Sequence, residues 1–230
     1  VDDHLEELAQ LEVRNAGHTI GNARWEAGNV RDVLAYYSGA PERLLGHQIP
    51  VAGGVDITFH EPLGVVGVIV PWNFPVNLSF VPLSYIFAAG NRAMVKMSEN
   101  SRHLARLLVK TLPDYFPPEK LRVFDDGGGV GIAFSQLAFD HLLFTGSSGT
   151  GRAVMAAAAR NLCPVTLELG GKSPAIVCDD FPLRTAAERI LYVKCLNAGQ
   201  VCTTVDHVYL PRESLPEFVR LAREVVPQRY

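Results

Sequence analysis

Runs of basic residues are missing from this chain, and so is any apolar stretch long enough to cross a bilayer. Lys and Arg number 21 against 24 Asp and Glu, a formal net charge of −3. That balance offers no positive field to a polyanion, so nucleic acid is excluded as a partner and no basic patch points to a membrane surface. The longest apolar stretch, LGVVGVIVPW, is too short for a membrane span and contains Pro71. The acidic opening VDDHLEELAQLEVRN lacks the basic and apolar regions of a secretory signal. A soluble, cytoplasmic protein is expected. Val1 stands where a start methionine would be, which reads as a processed or partial chain.

Cysteine is also scarce. The four are Cys163, Cys178, Cys195 and Cys202. None forms a CxxC pair and no histidine sits at ligand spacing from one, so no metal site is expected. Without a secretory signal they should be free thiols in a reducing compartment, most of them packed as small hydrophobes. Cys202 closes the hexapeptide NAGQVC, and two readings stay open for it there: a packed thiol or a nucleophile.

What the chain does have is apolar material in a particular order. Hydrophobic residues make up 48% of its 230 positions, enough for a large core. Short apolar runs alternate with segments of helical period, the pattern of a parallel sheet covered on both faces. VVGVIV, RAMVKM, LRVF, HLLF, PVTLEL, PAIVC and HVYL read as strands. VNLSFVPLSYIFAAG, the leucine stripe Leu104, Leu107, Leu108, Leu112, GRAVMAAAARNL, RTAAERILYVKCLNAG and ESLPEFVRLAREVV read as helices. The β-α-β-α order predicts an α/β fold with a doubly wound, Rossmann-like parallel sheet. Residues near 22–37 carry helical spacing, and the stretch around Gly53-Gly54 predicts a hairpin. The glycine cluster DDGGGVG reads as a flexible surface loop.

Besides NAGQVC, four stretches carry residues that chemistry can use, each with a plain structural reading beside it. FTGSSGTG runs from a strand into a helix, where free N–H groups and the helix dipole favour a phosphate; alternatively Gly146 only lends a tight turn its backbone freedom. Lys96 and Glu99 in VKMSE end a strand, where side chains point into a ligand crevice or stand as solvated charges. Glu168 lies in the apolar run VTLEL, as a salt-bridge partner or a general base. Asn73, between Pro71 and Pro75, either stabilises a turn or donates to an oxyanion.

Taken together, PWNFP, KMSE, FTGSSGTG, LELGGKSP and NAGQVC occur in the order and at the separations found in the NAD(P)-dependent aldehyde dehydrogenase superfamily, which nearly the whole chain resembles. From Pro75 onward the likeness is nearest the coniferyl aldehyde dehydrogenase branch. The resemblance implies Cys202 as nucleophile, Glu168 as general base and Asn73 as oxyanion donor. It implies Lys96 and Glu99 at the adenosine ribose and Gly146 and Ser147 at the pyrophosphate. Gly151 falls in the same cofactor-binding segment, and Trp72 lines the cleft. The implied cofactor is NAD, with NADP as the alternative.

The implied reaction is oxidation of a small-molecule aldehyde, an aromatic one by the branch, to a carboxylic acid. Alternatives of another class are a non-catalytic cofactor-binding module and a cysteine-dependent esterase. The implied domains are an NAD-binding domain over 1–45 and 63–169, a projecting oligomerisation hairpin over 46–62, and the start of a catalytic domain over 170–230. Family chains are roughly twice as long, so the rest of the catalytic domain is expected to be missing. A homodimer or homotetramer is expected of the full-length form.

Overall fold

The computed structural model describes residues 1–229. The chain divides into two compact units, Val1–Glu168 and Leu169–Tyr230. In the first unit, helices α1 (Leu5–Ala16) and α2 (Ile20–Ser38) lead to a hairpin of β1 (Gln48–Val51) and β2 (Gly54–Ile57). The main sheet follows: β3 (Val65–Ile69), β4 (Arg92–Lys96), β5 (Leu121–Phe124), β6 (His141–Gly146) and β7 (Val165–Leu169). Its spatial order is β5-β4-β3-β6-β7. The pairs β3–β4, β3–β6 and β4–β5 are all parallel. The chain therefore winds out from β3 in one direction, returns, and winds out in the other. This is the doubly wound order that the alternating pattern predicts.

The crossovers are α3 (Asn77–Ala88), α4 (Arg102–Thr111), α5 (Val130–Ser135) and α6 (Ser148–Ala159). Because side chains alternate along a strand, each central strand feeds two cores. Val66, Val68 and Val70 join Leu83, Leu104 and Leu108 on one side. Ile69, Leu142 and Phe144 join Phe134 and Val154 on the other. Burial on both faces is why these strands read as continuous apolar runs rather than as alternating ones.

Gly90 ends the turn after α3 with φ of +82°, and a Cβ there would meet Pro62 Cγ at 2.7 Å. Both the hand and the space require glycine. Two helices escape the sequence reading. α1 was expected only as an acidic start, yet Leu8, Ala9, Glu12 and Ala16 form its buried stripe. A carboxylate inside that stripe hides the period. α5 follows directly on the glycine loop and is only six residues long, too short for a periodic signal.

The second unit holds β8 (Ser173–Ile176) and β9 (Val205–Tyr209), paired in parallel, with α7 (Leu183–Cys195) and α8 (Leu215–Arg229). A two-stranded sheet buries little, and Ile176 and Tyr209 are 73% and 60% exposed. The expectation that most cysteines are buried fails here for that reason. Cys163 is buried in the first unit, but Cys178 and Cys202 are exposed and Cys195 is half-buried.

Candidate active site

At the carboxyl ends of β3, β4 and β6 lies a cleft of about 630 Å³. This is the point where the winding direction reverses, between β3 and β6, and ligands of such sheets bind there. The volume falls in the range that holds small molecules. The cleft is lined by Trp72, Lys96, Glu99, Gly146 and Ser147, among others. Five of the residues expected at a cofactor thus meet on one surface.

Each arrives there for a local reason. Lys96 is the last residue of β4 and is only 6% exposed. Its ammonium pairs with Asp126, and Glu99 Oε2 stands 3.7 Å away. Burial pushes the Asp126 carboxyl up, but the Lys96 hydrogen bond and charge, with N–H groups of Gly128 and Val130, outweigh it and hold it below the ordinary range. Asp126 was missed by the sequence reading, which took DDGGGVG for a surface loop. The available signal was its place directly after β5, at the same sheet edge as Lys96.

Ser147 caps α6: its hydroxyl accepts from Thr150 N–H at 3.2 Å and lies 2.9 Å from Thr150 Oγ1. The first N–H groups of α6 and its positive dipole end are placed to attract an anion. Gly146 is needed here for space rather than for backbone hand, which corrects the turn argument. Its φ is ordinary, but a Cβ would lie 2.6 Å from Phe144 Cζ. Gly151 does not line the cleft. It is buried one turn into α6, where its N–H bonds Ser147 O at 2.8 Å.

Asn73 follows β3 in the short segment before α3 and is half-buried. Its carbonyl oxygen lies 2.7 Å from His18 Nε2. Glu168 is exposed near the end of β7, not enclosed in a buried run as VTLEL suggests. β7 is the outermost strand of its sheet, so its apolar residues are only partly covered. Burial first, and the Glu168 charge second, raise the Tyr85 hydroxyl on α3 above its usual pKa, which puts Glu168 within electrostatic reach of that helix.

In the second unit, Cys202 is exposed on the turn that precedes β9. The approach to it is unusual. Asn197 and Ala198 have φ of 47° and 55°, and Gly199 follows at 79°. Gln200 Nε2 donates to Asn197 O at 2.9 Å, and Thr204 Oγ1 ties the far side to Val193 O at 3.3 Å.

The aldehyde dehydrogenase family model matches residues 1–228. The chain belongs to the aldehyde dehydrogenase family. Among its relatives, a protein of Pseudomonas aeruginosa named probable coniferyl aldehyde dehydrogenase is 56% identical over 167 residues, 73% of this chain and 35% of that protein. An NAD-dependent aldehyde dehydrogenase of Sinorhizobium meliloti superposes with a TM-score of 0.88 at 30% identity, over 97% of this chain and 45% of the other. A betaine aldehyde dehydrogenase of Staphylococcus aureus, a point mutant in complex with NAD+, gives 0.90 at 28% identity, over 98% and 46%. The chain thus spans about a third of the length of that Pseudomonas relative and about half of the two solved ones. The aldehyde dehydrogenase fold and the expected family likeness are both borne out. No helix among the described residues is long and apolar enough to cross a membrane.

Proposed function

We propose that this chain carries the cofactor cleft and the reacting residues of an NAD-dependent aldehyde dehydrogenase. The observation that carries the reading is the meeting of Trp72, Lys96, Glu99, Gly146 and Ser147 in one cleft at the reversal point of the sheet. Its shape fits a dinucleotide: Gly146, ending β6, carries no side chain, the start of α6 suits a pyrophosphate, and charged groups at the end of β4 suit a ribose diol. When bound, the cofactor supplies a hydride acceptor.

The protein's own groups do the rest. The Cys202 thiolate adds to the aldehyde carbon, and the Asn73 amide donates to the oxygen that becomes negative. With the cofactor bound to accept a hydride from that carbon, Cys202 would be left holding the acyl group as a thioester. Glu168 takes a proton from water, whose oxygen attacks the thioester carbon, and the C–S bond breaks to release a carboxylic acid and the Cys202 thiolate. The exposure of Cys202 and Glu168 supports access of both aldehyde and water.

NAD is favoured over NADP because the Glu99 carboxylate, 3.7 Å from Lys96, suits a ribose diol and would repel a 2′-phosphate. The relative named for coniferyl aldehyde supports an aromatic aldehyde as substrate. The hairpin supports an oligomerisation role, since every residue of β1 and β2 is exposed, including Ile49, Val51, Val55 and Ile57. A homodimer or homotetramer fits it.

The test is aldehyde-dependent formation of NADH by the chain, compared with Cys202→Ala. Turnover with an aromatic aldehyde that Cys202→Ala abolishes is the expected result. NAD binding without turnover would leave a cofactor-binding module, and ester cleavage independent of NAD would mark a thiol hydrolase.

A further inference from the structure

Beneath the segment that carries Asn73 lie three titratable side chains that no step above uses. Glu12 comes from α1, Glu26 from α2 and His18 from the loop between them, at 0%, 1% and 3% exposure. Their neighbours on the same inner faces are apolar: Leu8, Ala9 and Ala16 on α1, Ala23, Ala27 and Val30 on α2. Carboxylates in such a place are costly unless something holds them. All three side chains reach the backbone of one short segment. Glu12 Oε1 accepts from Val76 N–H at 2.7 Å, and Glu26 Oε1 accepts from Asn77 N–H at 2.9 Å. His18 Nε2 donates to Asn73 O at 2.7 Å, because a carbonyl oxygen can only accept. The Phe74 ring packs edge-on against the imidazole, centroids 4.9 Å apart.

The remaining atoms face one another. Glu12 Oε2 lies 3.4 Å from His18 Nε2, and Glu26 Oε2 lies 3.6 Å from Nδ1. Glu12 Oε2, Glu26 Oε2 and Nδ1 have no hydrogen-bond partner of their own. With the Nε2 proton fixed by Asn73, Nδ1 presents a lone pair to Glu26, and the two repel unless a proton lies between them. Burial supplies the tendency: it pushes the Glu12 carboxyl up to about 8, with Glu26 adding to it, and the Glu26 carboxyl to about 7.

A divalent cation is the other occupant this donor set suggests. It fits less well. The three donors lie within 4.8 Å of one another, but the two free carboxylate oxygens flank opposite nitrogens of the ring, and one of those nitrogens is committed to a carbonyl and has no lone pair to give.

We propose that Glu12, His18 and Glu26 form a buried clamp on residues 73–77, in which His18 is a positioning residue that fixes Asn73 through its backbone carbonyl. An oxyanion donor is effective only when its place is set before charge develops. The clamp ties the segment between β3 and α3 down with three hydrogen bonds. This rests on the reading of Asn73 as the oxyanion donor.

The test compares His18→Leu, which removes the donor, with His18→Gln, whose amide restores an N–H near the position of Nε2. In the whole chain with NAD, His18→Leu is expected to lower kcat about 10–100-fold, the cost of a misplaced reacting group, with KM for NAD nearly unchanged. Amide exchange should accelerate at Val76 and Asn77 and stay as in wild type elsewhere in the unit. His18→Gln should recover most of both. If His18→Leu does not fold, His18→Asn serves, since its amide reaches toward Nδ1 instead and should lose kcat likewise. Equal loss in the Leu and Gln variants, an unchanged kcat in His18→Leu, or stoichiometric metal in the purified protein each overturns the clamp. Asn73→Ala separates the two layers. If it leaves kcat intact, the oxyanion reading fails, while the exchange measurement still decides the clamp without any turnover.

Discussion

Two glycines three positions apart at the cofactor cleft should respond to alanine with opposite signs. At Gly146 a Cβ would stand 2.6 Å from Phe144 Cζ and 3.2 Å and 3.4 Å from its two neighbours. Phe144 is 3% exposed and packed among Ile69, Phe134, Phe139 and Leu142, so the ring can give way only toward the cleft it also lines. Overpacking of this kind costs about 1–3 kcal/mol. At Gly149, inside the first turn of α6, a Cβ meets nothing within 4 Å and φ is ordinary. Alanine there removes freedom from the unfolded chain and should add about 0.4–1 kcal/mol. For a unit of this size a kcal/mol moves Tm by about 2–4 °C. Thermal unfolding followed by circular dichroism should therefore show Gly146→Ala lowered by about 2–12 °C and Gly149→Ala raised by about 1–4 °C. NAD titration should show weaker binding for Gly146→Ala, because displacing residue 146 moves the Ser147 cap. A Gly146→Ala protein as stable as wild type would refute the close-contact argument. A fall in both variants would mean that the start of α6 tolerates no Cβ at all, for a reason other than the Phe144 ring.

Three other outcomes are expected. Asp126→Asn removes one of the two carboxylates beside Lys96 and should narrow the NAD over NADP preference several-fold in calorimetric titrations, as about 1 kcal/mol per screened unit charge implies. Stability should fall as pH rises from about 6.5 to 8, because Glu12 and Glu26 have raised folded-state pKa values of about 8 and about 7; such groups stabilise most below their unfolded value and lose that contribution as pH climbs through the folded one. His18, lowered by burial, opposes this only at lower pH, where its charged form is disfavoured. Urea midpoints across that window should decline in wild type and stay flat in the Glu12→Gln, Glu26→Gln double variant. Leu104→Ala, fully buried in the core between the sheet and α4, should cost about 2–5 kcal/mol in the same assay.

The sheet was legible because its central strands are buried on both faces and read as unbroken apolar runs, with Gly90 marking where α3 stops. The cleft was legible in part. Lys96, Glu99, Gly146 and Ser147 sit at strand ends, where a residue's place in the sequence already fixes its place at the sheet edge. Asp126 was not, since a glycine-rich loop carries no period and its partner lies on another strand. The Glu12, His18 and Glu26 cluster was hidden for the opposite reason: polar residues on an inner helix face break the very pattern by which a helix is recognised. Glu168 misled because an apolar run at the outer edge of a sheet looks the same in sequence as one at its centre.

The left-handed stretch at residues 197–199 decides what kind of surface presents the sulfur of Cys202. Had α7 kept its ordinary hand, Cys202 would fall seven residues beyond Cys195, two turns along the same stripe of one helix. Instead Leu196 leaves the helix in an extended conformation, and the left-handed residues after it cut the stripe. One thiol stays half-covered on the rod while the other is delivered to open solvent by an irregular turn. Conformations of this sort cost about 1–2 kcal/mol for each residue other than glycine, so the loop holds its shape against its own preference, and the Gln200 and Thr204 contacts act as its latch.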